Sequence, residues 1–221
     1  MSSKDGRRAT ALPLAAIGCV LTVLAVVLHP AERPPRGTFD PLVRTISAGS
    51  AGGFRPETYI TGRYKQSIML TPERNGDQSA SVAVHAKNTI GVLPGEKMPD
   101  VNGRRALWTG DYLSVEWEPD AWAFIDVQGF PDDRSRAVAI AANLRFDEHL
   151  PIEVPYTVQT SWELDSVSYT EGDVVLVFTN NVRLALRAGT GLATGPAPEA
   201  ELDALERSVR PADPPVTNPF R

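Results

Sequence analysis

The chain has 221 residues, 42% hydrophobic and 22% charged, with 22 Lys and Arg against 27 Asp and Glu, one Cys and a net charge of -5. That length holds one domain of ~100–200 residues with appendages; the apolar content excludes a disordered chain, and a mean hydropathy of -0.18 excludes a multi-span transporter. A single Cys excludes an internal disulfide and any cysteine-rich zinc or iron–sulfur site, so packing must hold the fold.

The charge is uneven. Residues 1–30 hold Lys4, Arg7 and Arg8 against Asp5, a balance of +2, which leaves -7 on the other 191. Residues 9–28, ATALPLAAIGCVLTVLAVVL, carry no charge. As a helix rising about 1.5 Å per residue they span about 30 Å, the thickness of a bilayer's hydrocarbon core. Pro13 falls near the first turn, where a missing N–H costs least. Basic residues before the run, and Pro30, Glu32, Arg33, Pro34 and Pro35 after it, predict a single-pass anchor in the cell membrane, its N-terminus cytoplasmic and its C-terminal domain extracytoplasmic. The alternatives are weaker: Leu28-His29-Pro30-Ala31 is a poor signal-peptide cleavage site, and lipidation at Cys19 would leave a chain beginning deep in the apolar run. The chain thus divides into a cytoplasmic stub (1–8), a transmembrane helix (9–28), a Pro- and Gly-rich spacer (29–53), an extracytoplasmic domain (54–188) and an Ala- and Pro-rich tail (189–221).

In the spacer, residues 39–46 are expected to form a short helix, and residues 48–53, AGSAGG, a flexible link. Residues 60–71 and 77–87 flank Asn75-Gly76, a hairpin signal because type I′ turns need positive φ at both central residues. Between 81 and 87, Val82, Val84 and Ala86 take one face and Ser81, Ala83, His85 and Lys87 the other. Asn102-Gly103 and Gly110-Asp111 punctuate two further strands, and Glu118-Pro119-Asp120 turns 113–117 back into 122–128. Residues 121–127 are apolar on both faces, as a doubly covered central strand would be. The cover is expected from a helix over 131–146, opening on Asp132 and Asp133, with Ala137, Ile140, Ala141 and Leu144 at helical spacing.

Strands resume over 158–169, 174–179 and 182–187; residues 199–209 predict a short helix, and 211–221 a disordered end. About eight strands and one central helix make an α+β fold, one mostly antiparallel, curved sheet packed on that helix.

Catalytic motifs are absent from the sequence: it has no phosphate-binding glycine loop, no nucleophile elbow, no His pair at helical spacing and no acidic calcium loop. His29, His85 and His149 are scattered, so no metal, cofactor or catalytic residue is assigned, and the acidic exported part disfavours nucleic acid. Asp111, Glu116, Glu118 and Asp120 crowd one hairpin; they suit turn chemistry, or a general acid and base in an exported hydrolase. Trp108, Tyr112, Trp117, Trp122 and Phe124 fall within 17 residues and either fill the core or line an apolar ligand or partner surface.

The strand VNGRRALW, then LSVEW, AWAFIDVQG and the helical AVAIAANLRF, all within residues 101–146, resemble the extracytoplasmic halves of membrane-anchored anti-sigma-factor-type regulators. More distantly, they resemble LolA/LppX-like carrier folds of actinobacterial-type envelope proteins. The resemblance implies a curved antiparallel sheet wrapped around helices and a sensing, binding or scaffold role, with no catalytic residue. Only eight residues precede the apolar run, too few for the sigma-binding domain of such regulators. The expected function is therefore a non-enzymatic envelope protein, anchored in the bilayer through residues 9–28, that binds an envelope protein or an apolar ligand. The alternatives are the hydrolase above and a cleaved, secreted ligand-binding protein.

Overall fold

Period-two alternation runs through most of the chain beyond residue 43. In the computed structural model, which describes residues 37–221 apart from 75, 92, 171, 188 and 189, it becomes a mostly β structure of fifteen strands and two helices. In chain order these are β1 (Val43–Ala48), β2 (Phe54–Gly62), β3 (Lys65–Pro72), β4 (Ser79–His85), β5 (Glu96–Val101), β6 (Arg104–Trp108), β7 (Tyr112–Glu118) and β8 (Ala121–Gln128). Helix α1 (Asp133–Ala142) follows, then β9 (Leu144–Pro151), β10 (Val154–Thr157), β11 (Leu164–Thr170), β12 (Asp173–Phe178), β13 (Arg183–Arg187), β14 (Thr190–Thr194), α2 (Glu199–Ser208) and β15 (Arg210–Val216). Eleven strands form one large curved antiparallel sheet in the order β14-β13-β12-β11-β2-β3-β4-β8-β7-β6-β5; β1 with β9, and β10 with β15, form separate two-stranded ribbons.

Strand parity sets the layers. Ile68, Val82, Ile125, Leu113 and Val115 point to the inner face, where they meet Ala137, Ile140 and Ala141 of α1 and Ile46 of β1 in one buried core. A second core gathers Val167, Leu176, Phe178, Leu184 and Leu186 of β11–β13 with Val154 and Tyr156 of β10 and Leu205 of α2. Both helices and both ribbons lie on this inner face, so among the described residues no second layer covers the outer one.

Several sequence expectations are corrected. With 56% strand and 11% helix, the fold is mostly β rather than an even α+β mixture. The stretch read as a helix over 39–46 contains strand β1, because its residues pair with β9 and its backbone is held by Gln66. The helix expected over 131–146 ends at Ala142, and the next residues alternate, Leu144 buried and Arg145 exposed, as a strand opposite β1. Residues 60–71 are two strands split at Arg63-Tyr64, and the strand expected over 158–169 is β11 alone, preceded by an irregular stretch. The outward side chains of β8 are covered by loops and neighbours rather than by the helix.

The glycine-rich link is a pinned turn: Ala51 and Phe54 bridge, and Gly52 has φ +62 with its would-be Cβ 3.0 Å from the Arg136 carbonyl. Arg136 Nη1 donates to the Gly52 carbonyl at 2.6 Å. The C-terminal stretch expected to be disordered supplies β15; beyond it, the Val158 N–H donates to the Pro219 carbonyl at 2.7 Å and Phe220 packs on Phe178.

Among the described residues no helix is long and apolar enough to cross a membrane, and the segment 9–28 lies outside them, as do the spacer residues up to 36.

Candidate functional site

The aromatic residues that crowd together in sequence are separated by the sheet. On β7, Tyr112 and Trp117 stand five residues apart and so occupy opposite faces. Trp117 is inward, Tyr112 outward; on β8, Trp122 and Phe124 share the outward parity. Trp108 packs on the first core with the Arg134 guanidinium of α1 5.7 Å from its ring. Outward, Phe124 meets His85 edge-to-face at 5.2 Å and Tyr112 at 5.4 Å. Burial, with the adjacent Lys65 charge as a second cause, holds the His85 pKa below its ordinary value. Trp122 is buried, with Asn88, Ile90, Gly91 and Leu93 about a neighbouring depression and Arg105 5.4 Å above its ring.

Trp117 is the one of the five that faces an inner cleft. The cleft measures about 420 Å³ and is lined by Phe39, Val43, Thr45, Ala86 and Trp117, with Asp40, Lys87, Glu118 and His149 as its ionisable groups. The indole lies between Phe39, 6.2 Å away, and Phe146, 5.8 Å away and nearly parallel at 8°. Arg104 caps the far side of Phe146 at 4.5 Å. The Trp117 N–H donates to the His85 carbonyl at 3.2 Å, so the ring is fixed and presents apolar surface. The Thr45 hydroxyl is buried without a partner, a polar group the protein leaves unsatisfied beside the cleft.

One strand orients this cleft. Gln66, 1% exposed on β3, accepts the Thr45 N–H at 3.0 Å and donates to the Val43 carbonyl at 2.8 Å, standing in for a strand neighbour that β1 lacks on that side. The Thr61 hydroxyl donates to the Pro41 carbonyl just upstream.

The four carboxylates do not form one group. Glu118 borders the Trp117 cleft, whereas Glu116 and Asp120 border the depression beside Trp122. Glu116 pairs with Arg105 at 3.7 Å and accepts the Asp120 N–H at 3.3 Å; Asp111 is exposed in the turn at the other end of β7. Among the described residues no three His, Cys, Asp or Glu side chains converge as a metal ion requires. Phe39 and Thr45 line the cleft and Phe146 stacks on its indole wall; none was a candidate in the sequence, because all three lie in stretches taken for helix and their proximity depends on the β1–β9 ribbon.

No family model, curated protein or solved structure matches this chain.

Proposed function

We propose that the chain is a non-enzymatic binding protein of the cell envelope, anchored through residues 9–28, whose extracytoplasmic domain takes a ligand with a flat apolar group against Trp117. The observation that carries this reading is the cleft of about 420 Å³ with the fixed indole as its wall. Its volume falls in the ~300–1,000 Å³ range of small-molecule sites, and it sets an aromatic wall beside polar groups able to orient a ligand. The separation of Glu118 from Glu116 and Asp120, with Asp111 apart from all three in a turn, supports binding over hydrolysis, and a sheet with helices on one face agrees with the form the family resemblance implies.

The test is retention. The full chain is purified in detergent, extracted with organic solvent and analysed by mass spectrometry, beside a Val43→Trp variant that fills the cleft. A compound held by the wild type and lost from the variant is expected; equal retention by both, or none by either, overturns the assignment. For the anchor, a reporter fused after Phe39 is expected to be active only outside the cytoplasm, and cytoplasmic activity overturns the orientation.

A further inference from the structure

A second concavity lies on the other side of β1. Val43 and Thr45 face the Trp117 cleft, whereas Arg44 between them lines a separate hollow of about 200 Å³ with Tyr59, Tyr169, Leu150, Ile152 and Glu153. Tyr59 and Tyr169 are direct partners in the β2–β11 register. One packs on the first core and the other on the second, so the hollow sits at the seam where the two cores meet.

The Arg44 guanidinium lies 4.3 Å from the centre of the Tyr59 ring, and its Nε is buried with no hydrogen-bond partner. A ring face attracts the cation but does not satisfy the N–H, and a buried donor left unpaired costs about 1–3 kcal/mol. Among the described residues Arg44 has no ion pair within 4.0 Å; Glu153, the acid at the rim, is exposed and stands off. Gln66 grips the backbone on both sides of Arg44, and the Tyr59 ring face holds the guanidinium over the hollow.

A guanidinium recognises a planar carboxylate through two parallel hydrogen bonds, and the Nη pair of Arg44, rather than its buried Nε, is the edge that a ligand in the hollow reaches. Two phenol rings and the Leu150 and Ile152 side chains offer the rest of the ligand apolar surface. The hollow is smaller than the ~300 Å³ at which drug-sized sites begin, so it admits one compact group. Glu153 at the rim opposes a second negative charge. We infer that the Arg44–Tyr59–Tyr169 hollow is a binding site for a small monocarboxylate with a flat or short apolar body, independent of the Trp117 cleft.

Benzoate is the probe, and benzamide, of the same shape without the charge, is its control. Titration of the full chain in detergent, followed by calorimetry and by ligand-observed NMR, is expected to show saturable benzoate binding and none of benzamide. Arg44→Gln is expected to weaken benzoate by roughly tenfold to a hundredfold, the loss of hydrogen bonds to a charged partner. Glu153→Gln is expected to tighten it a few-fold, and Val43→Trp, which fills the other cleft, to leave it unchanged. In carboxylate-free buffer Arg44→Met is expected to melt no lower than wild type, because it removes an unsatisfied buried donor; a purely structural arginine would give a lower Tm. The inference is overturned if wild type shows no saturable benzoate binding, if benzamide binds equally, or if folded Arg44→Gln binds benzoate as wild type does. Loss of benzoate binding in Val43→Trp with Arg44→Gln unaffected would move the ligand to the Trp117 cleft.

Discussion

Gln66 and His85 are polar side chains that the sheet holds in opposite ways. Gln66 is inward and almost fully buried, yet both ends of its carboxamide are used by the β1 backbone. Gln66→Leu keeps the volume but leaves the Val43 carbonyl and the Thr45 N–H unpaired, at about 1–3 kcal/mol each, less whatever the apolar side chain regains. The expected cost is about 2–4 kcal/mol by urea denaturation, and because β1 walls both concavities, benzoate binding should weaken with it. A loss below about 0.5 kcal/mol, the range of ordinary surface substitutions, would mean that β1 is held by its ribbon partner alone. His85 faces outward, against Phe124 and beside Lys65, and its pKa is lowered by burial and by that lysine. The folded state therefore takes up a proton less readily than the unfolded chain. The associated stability is complete above the unfolded histidine value of about 6.5 and is lost as pH falls from there through the lower folded value. His85→Gln is expected to flatten the fall in urea midpoint between about pH 7.5 and about pH 5.5; an unchanged slope would assign that fall to other groups.

At the scale of elements, the sequence was readable wherever a turn signal and a period of two agreed. Glu118-Pro119-Asp120 does turn β7 into β8, and Val82 and Val84 of β4 and Leu184 and Leu186 of β13 point inward as their alternation requires. The start of α1 was readable too, from its early acids, of which Asp133 accepts the Phe130 N–H at 2.9 Å. What failed was local propensity decided by distant partners. Residues 43–46 carry no strand alternation strong enough to reveal a ribbon whose partner begins a hundred residues later, so the cleft wall and Arg44 were hidden together. The aromatic group is divided by strand parity, because positions 112 and 117 are an odd number of residues apart on one strand. The glycines of 49–53 signalled freedom but serve close approach. Gly52→Ala places a Cβ at φ +62 and 3.0 Å from a helix carbonyl, so a loss of roughly 1–3 kcal/mol is expected, read as a lower Tm. A neutral result would show that this turn can move away from α1.

At the scale of the molecule, two cores share one sheet, and the seam between them decides whether they unfold together. The β2–β11 junction carries four ladder pairs from Tyr59↔Tyr169 to Gly62↔Ser166. Side chains cross it as well: the Thr58 and Thr170 hydroxyls bond at 2.9 Å, and Arg63 Nε donates to the Leu164 carbonyl at 3.1 Å. The Ile152 N–H donates to the Leu42 carbonyl at 2.9 Å, and Leu42, just before β1, packs on the second core while Ile46 lies in the first. So many contacts of both kinds should couple the halves into one cooperative unit. Ile125→Ala in the first core and Leu184→Ala in the second each remove a fully buried side chain, at about 2–5 kcal/mol by the usual large-to-small cost. If the sheet unfolds as one, either substitution should speed hydrogen exchange at β4 and at β12 by the same factor, since both sets of amides then open only with the whole. Ile125→Ala speeding exchange at β4 while leaving β12 unchanged would make the seam a boundary between two folding units, and the carboxylate hollow a site built between them.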